Sequence, residues 1–184
     1  MMLGFLLARR GIDVVVLEKH ADLLRDFRGD TIHPSTLEIM DELGLLDQFL
    51  KRPHQELLEL EGQVGEETVT IADFRHLPTQ CKFLALMPQW DFLNFIKEQA
   101  QHYPTFKLRM QAEVTELIEI HGRMMGVCAK TPHGPLEVRA GLTIGADGRS
   151  STVRKCAGLR MRNLGSPMDV MWVRISRPEH VRVV

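Results

Sequence analysis

Apolar residues are spaced along this chain in two rhythms, one helical and one alternating. In residues 1–10, Leu3, Leu6 and Leu7 recur at helical intervals, Arg9 and Arg10 close the run, and Gly11 stands where a helix C-cap belongs. Residues 12–17 are nearly all apolar and rich in valine, broken only by Asp13, which predicts a strand covered on both faces in a parallel sheet. A polar loop over 19–34 leads to Ser35-Thr36-Leu37-Glu38, which has the form of a capping box. Ile39, Leu43, Leu46 and Leu50 then give one apolar helical face. Residues 57–86 are short strand-like pieces separated by glycine, proline and charge. A second amphipathic helix is predicted over 88–103, with Phe92, Ile96, Ala100 and Tyr103 on one side.

From residue 106 the period changes to two. Residues 106–110 alternate cleanly, Val114, Ile118 and Ile120 share a face, and Pro132-His133-Gly134-Pro135 joins strands predicted at 124–131 and 135–141. Residues 142–146 read as a buried strand ending at Asp147-Gly148. A short helix is predicted at 150–157 and a last strand at 168–175. The fold class is therefore α/β: a parallel sheet with helices and an antiparallel meander inserted at 112–141.

Composition removes several kinds of function. Of the 184 residues, 23 are Lys or Arg and 24 are Asp or Glu, so no basic excess points to nucleic acid or a membrane surface. Cys81, Cys128 and Cys156 are too widely spaced for a metal or disulfide pattern, which reads as ordinary buried thiols in a reduced, cytoplasmic protein. The apolar start is too short for a signal peptide and runs straight into Arg9-Arg10. No apolar stretch is long enough to span a bilayer. The eight histidines are scattered, His33 included, and no Ser-His-Asp set, metal cluster or partnered nucleophilic cysteine emerges.

The chemistry sits at the ends of the apolar segments. An acidic residue closing the second strand of a dinucleotide-binding βαβ unit accepts hydrogen bonds from the ribose hydroxyls of an adenosine, and Glu18 stands there. Alone, it is better explained as a surface glutamate at a strand end. The stretch from Gly4 through Leu17-Glu18-Lys19 resembles the FAD-binding unit of the flavoprotein aromatic hydroxylases, the para-hydroxybenzoate hydroxylase-like monooxygenases. Gly4 falls where that family wants a small residue for close helix–sheet packing. The resemblance continues through Arg28-Gly29-Asp30-Thr31, Met87-Pro88-Gln89 and Val114. It is strongest at 142–154, Leu-Thr-Ile-Gly-Ala-Asp-Gly-Arg-Ser-Ser-Thr-Val-Arg.

The resemblance covers essentially the whole chain and implies cofactor-binding roles for Glu18, Lys19, Arg28, Gln89, Val114 and Asp147. Arg28, with Arg25 as its rival, would meet the pyrophosphate, Gln89 the cofactor and the Val114 backbone the adenine. Asp147 would lie near the ribose and pyrophosphate, with Ser150 or Ser151 capping the next helix. A Rossmann-like FAD-binding domain is expected at 1–54 and 87–164, and part of a β-sheet substrate domain at 55–86 and 165–184. The implied activity is hydroxylation of a small aromatic (phenolic) substrate with FAD, NAD(P)H and O2, with no catalytic side chain from this segment. Reductases and halogenases of the same fold, or a non-catalytic truncated product, are the alternatives. The family's first strand and glycine loop would fall before Met1, so the chain alone is expected to be inactive.

Overall fold

The computed structural model describes residues 1–24 and 30–165. Helix α1 (Met2–Arg9) buries Gly4, Phe5 and Ala8. It ends at Arg10, and Gly11 follows with φ +74°, a left-handed conformation that costs glycine little. Strand β1 (Val14–Leu17) comes next and runs parallel to β7 (Phe106–Arg109), with Val14 opposite Phe106 and Leu17 opposite Arg109. A Cβ at Gly4 would lie 2.7 Å from Val16 Cγ2 and 3.2 Å from Phe106 Cε2, so the small residue expected at the helix–sheet contact is required by it.

Strand β1 departs from the expectation of burial on both faces. Val14, Val16 and Leu17 are half-buried and Val15 is exposed. The reason is neighbours: among the described residues β1 has β7 beside it and α1 over one face, and no other strand pairs with it.

Helix α2 (Pro34–Glu42) begins one residue before the predicted capping box. His33 is the N-cap and Pro34 takes the first helical turn, where its missing N–H costs nothing. The Ser35–Glu38 box does not form: Glu38 Oε2 instead accepts from the Gln80 N–H at 3.0 Å, tying α2 to the 77–83 loop. The buried face is Leu37 and Met40, while Ile39 is exposed. The predicted run through Leu50 is broken at Gly44, φ +70°, and restarts as α3 (Leu46–Phe49). Helix α4 (Gln89–Gln101) buries Ile96 and Ala100 as predicted, with Phe95 and Gln99 beside them. Phe5, Leu37, Met40, Phe49, Phe95 and Ile96 are the large, fully buried residues of the core between α1, α2, α3 and α4. Each contributes about 1.5–3 kcal/mol by leaving water.

The remaining strands are antiparallel. β2 (Thr31–Ile32) and β3 (Gln55–Leu57) flank β6 (Leu84–Leu86). β4 (Glu59–Val64) and β5 (Glu67–Asp73) form a separate hairpin that exposes Leu60, Val64, Val69 and Ile71. The meander is β8 (Glu113–Ile120), β9 (Arg123–Thr131) and β10 (Gly134–Arg139), in the order β10-β9-β8. The predicted face of Val114, Ile118 and Ile120 is interrupted by register shifts at Val114/Glu116 and Ile118/Glu119, each of which breaks the alternation. Ile120 is exposed in consequence.

Residues 142–146 are not the buried strand expected. They pair with no described strand, and Leu142 and Ile144 are 74% and 53% exposed. Helix α5 (Thr152–Cys156) follows and lies against β8. The strand predicted at 168–175 lies outside the described residues. Of the cysteines only Cys81 is buried; Cys128 is half-buried, and Cys156 is exposed, its thiol 3.6 Å from the Thr115 carbonyl. Burial, then the carboxylates of Glu56, Asp41 and Glu38, push the Cys81 thiol up, so it stays protonated and inert.

Candidate functional site

Glu18 leaves the end of β1 within a frame made by distant residues. Its N–H donates to the Arg109 carbonyl at 2.9 Å, and its own carbonyl accepts from Ala112 N–H at 2.9 Å. The Gln111 N–H donates to the His20 carbonyl at 3.0 Å. The turn between β7 and β8 is thus sewn to residues 18–20, and Val114 stands two residues beyond the contact. The Glu18 carboxylate accepts from the His20 N–H at 2.8 Å. It also acts electrostatically on the amino group at the start of α1. Burial lowers the pKa of that amine, and the Glu18 charge opposes the shift. Lys19, next to it, is exposed.

Gln89 opens α4. Its N–H donates to Asp30 Oδ1 at 3.2 Å, and the Met87 N–H donates to the Asp30 carbonyl at 2.9 Å. This continues the β2–β6 pairing of Thr31 with Leu86 by one residue. Asp30 carries a role that sequence reading missed. The available signal was Pro88: as the N-cap of α4 it has no side-chain acceptor, so the helix must find one elsewhere. Arg28 and its rival Arg25 lie outside the described residues.

Asp147 is held by the residues that follow it. Oδ2 accepts from the N–H groups of Thr152 at 2.6 Å and Val153 at 3.1 Å, and Oδ1 accepts from the Ser151 hydroxyl. Ser151 Oγ in turn accepts from the Arg154 N–H at 2.9 Å, so of the two serines considered, Ser151 is the cap. Burial pushes the Asp147 carboxyl up. The hydrogen bonds from Ser151, Val153 and Thr152 outweigh that and hold it below the ordinary aspartate value. Gly148 supplies the turn at φ +82°. Gly145 lets residues 142–146 lie on α5, since a Cβ there would be 2.9 Å from the Val153 side chain.

These contacts form two groups and a neighbour. Glu18 is joined through Ala112 to the Val114 strand, and Asp147 through α5 to the same β8 strand. Gln89 lies with Asp30, on a helix that packs against α1. An apolar cleft between β8 and α5, lined by Leu117, Met124, Val153, Ala157 and Leu159, holds none of Glu18, Lys19, Gln89, Val114 or Asp147. It is not where the candidate residues converge. Among the described residues no group of His, Cys, Asp or Glu is arranged to hold a metal. No described helix is long and apolar enough to cross a membrane.

The donor and acceptor chemistry suits an FAD. An acceptor carboxylate closes the strand that follows α1, and the helix lies so close on that strand that a Cβ at Gly4 would fill the gap. Comparison with known proteins agrees. The family described as "FAD binding domain" matches residues 1–182. A 6-methylpretetramide 4-monooxygenase of Streptomyces rimosus is 31% identical over 177 residues, covering 96% of this chain and 42% of that protein. The crystal structure of a p-nitrophenol 4-monooxygenase from Pseudomonas putida superposes with a TM-score of 0.73 at 26% identity, over 84% of this chain and 40% of that one. The anhydrotetracycline hydroxylase structure from Streptomyces rimosus gives 0.71 at 29% identity, over 85% and 31%. The chain thus spans less than half the length of these relatives. With a strand-end glutamate, a closely packed glycine, an Asp-Gly turn capping a helix, and a family match over nearly its whole length, this chain belongs to the FAD-binding domain family of flavin-dependent monooxygenases.

Proposed function

We propose that this chain is the FAD-holding part of a monooxygenase that hydroxylates a small aromatic, phenol-like substrate with NAD(P)H and O2. The observation that carries this reading is the setting of Glu18, fixed at the end of β1 by Arg109 and Ala112. Its carboxylate would accept the adenosine ribose hydroxyls, with Lys19 beside it and the Val114 backbone along the adenine. Gln89 would donate to the cofactor from the first turn of α4, and Arg28 to the pyrophosphate. Asp147 would present the Asp-Gly turn to the same ligand while capping α5. The flavin, when bound, supplies the redox chemistry; these residues bind it, orient it and exclude water. The named activities of the relatives, on p-nitrophenol, 6-methylpretetramide and anhydrotetracycline, support the substrate class.

The division into a FAD-binding part (1–54, 87–164) and a substrate part (55–86, 165–184) is supported by the β4–β5 hairpin. It stands apart from the main core with its apolar face uncovered. Residues 81–87 nonetheless join that core through Cys81, Ala85 and Met87. The three free thiols fit a reducing, cytoplasmic setting.

The test is FAD titration of the apoprotein of the complete polypeptide. Glu18→Ala is expected to weaken binding about tenfold or more, since hydrogen bonds to a charged acceptor are worth about 1.5–3 kcal/mol each. Phenol-stimulated NAD(P)H oxidation with hydroxylated product separates a monooxygenase from a reductase or halogenase. Unchanged affinity in Glu18→Ala would refute the site. The 1–184 chain alone is expected to be associated, colourless and inactive, because one edge of β1 and the exposed 142–146 segment, which pair with no strand among the described residues, invite pairing. A monomeric, yellow, substrate-responsive 1–184 protein contradicts this.

A further inference from the structure

We infer that Asp30 is a positioning residue for the flavin site, acting through the first turn of α4; this rests on the FAD reading above. Helix α4 starts after Pro88, which offers no side-chain cap, and its first helical residue is Gln89. Two peptide N–H groups at this start are claimed by one residue much earlier in the chain, Asp30, which lies 59 positions before Gln89. Met87 donates to the Asp30 carbonyl at 2.9 Å, and Gln89 donates to the Asp30 carboxylate at 3.2 Å. The first bond extends the β2–β6 ladder. The second is a helix cap supplied from outside the helix, with a negative charge at the positive end of the macrodipole.

The arrangement is specific to Asp30. A backbone bond alone would hold Met87 and leave Gln89 free to fray, because the first N–H groups of a helix have no partners within it. Asp91, the acid in the first turn, lies inside the helix; its own N–H donates to the Pro88 carbonyl. Asp30 is exposed, so its carboxylate buries no apolar surface and fills no cavity. Its structural work is confined to this turn. Gln89 is the site residue of that turn, and its Cα is fixed by the peptide whose N–H Asp30 holds. Removing the carboxylate therefore loosens Gln89 without removing its amide, and weakens flavin binding through Gln89.

The prediction separates the clamp from the reading it rests on. FAD is titrated into the apoprotein of the complete polypeptide carrying Asp30→Ala, Asp30→Asn, Gln89→Ala, or Asp30→Ala with Gln89→Ala, each checked for native circular dichroism. Asp30→Ala is expected to weaken FAD about tenfold. Asp30→Asn, which keeps an acceptor oxygen, should weaken it only a few-fold. Once Gln89 is alanine, Asp30→Ala should cost less than a further twofold, because both changes remove the same contact. Amide exchange at Gln89, measured without flavin, should speed up in Asp30→Ala and not in Gln89→Ala. If Gln89→Ala weakens FAD while Asp30→Ala does not, or if the two losses multiply in full, the clamp is wrong and the flavin site stands. If the unsubstituted protein takes up no FAD, or Gln89→Ala binds it normally, the flavin reading of this turn fails and the clamp falls with it.

Discussion

Two acidic residues close extended apolar segments in this chain, and they are held in opposite ways. Glu18 is set by residues far away in sequence: Arg109 and Ala112 fix its backbone, and β7 fixes the strand that delivers it. Asp147 is set by its own next six residues, through Ser151, Thr152 and Val153, while the segment that delivers it pairs with no described strand. One end is built by the sheet and the other by a helix cap. A cap needs only the right residues at the right spacing and forms wherever the chain can turn. Strand membership needs a neighbour, and Leu142 and Ile144 stay exposed without one. The two ends should therefore respond differently to comparable changes.

The largest difference is expected between the two close-packed glycines. Gly4→Val drives side-chain atoms into Val16 and Phe106 at the centre of the α1–β1–β7 contact and should cost about 3 kcal/mol of global stability. Gly145→Ala presses on Val153, on a short surface helix, with Asp147 Oδ1 at ordinary contact distance, and should cost about 1 kcal/mol, confined to 142–157. Urea unfolding gives the first quantity and residue-resolved amide exchange the second. A Gly4→Val protein with an unchanged midpoint would break the comparison at its root.

The cap comes next. Asp147→Ala removes the acceptor for two α5 amides and should destabilise that helix by about 1–2 kcal/mol while leaving the α1–α4 core intact. Because the folded carboxyl sits below its ordinary value, its contribution is complete above the unfolded pKa and fades as pH falls through the folded one. Carboxyl NMR should find the Asp147 midpoint below that of an ordinary aspartate. A midpoint at or above it would mean that the cap is not formed in solution.

The same contrast explains what could be read from the sequence. Signals carried by nearby residues were legible: the stop at Gly11, the turn at Pro132–Gly134, the Ser151 cap and the Asp-Gly turn. The small residue at Gly4 was legible through the family resemblance, and the structure supplies its partners, Val16 and Phe106. What failed depended on competition or on partners. The Ser35–Glu38 box lost to Pro34 for the start of α2 and to Gln80 for the glutamate. The alternation of β8 lost to two bulges that no residue type announces. The burial assigned to 12–17 and 142–146 presupposed strands that the described residues do not supply. Asp30 escaped notice because its partner lies 59 residues away.

Strain offers a smaller test of the sheet-built end. Gln111 has φ +55° in the turn between β7 and β8, the turn whose N–H reaches His20. A left-handed conformation costs a side-chain-bearing residue about 1–2 kcal/mol, and glycine gives part of that back as lost chain entropy. Gln111→Gly should therefore raise stability by roughly 0.5 kcal/mol in thermal or urea unfolding, with Glu18 still fixed by Arg109 and Ala112. A loss of stability would show that the Gln111 side chain contributes more to the turn than its backbone strain removes.

The smallest effect is expected on the hairpin, where a second depressed aspartate separates local charge pairing from capping. The Arg75 guanidinium, bonded to Asp73 at 2.8 and 2.9 Å, holds that carboxyl down to about 2, against the opposing effect of desolvation. The backbone N–H of Arg75 and the charge of His76 act in the same direction. The sign matches that at Asp147: the pair favours the folded hairpin above the unfolded carboxylate pKa, and the effect disappears as pH falls toward 2. The setting differs. Arg75 is open to water and Asp73 is half-buried, Arg75 also pairs with Glu59, and screening leaves such surface pairs little net weight. Arg75→Ala should move the Asp73 midpoint back toward the ordinary aspartate value, leave the Asp147 midpoint where it was, and barely change the unfolding midpoint. Salt should do the same to Asp73 in the parent protein and much less to Asp147, whose donors are mostly uncharged peptide groups. If Asp147 followed Asp73 in either titration, its low pKa would come from nearby charge and not from the helix it caps, and the distinction between the two kinds of strand end would fail.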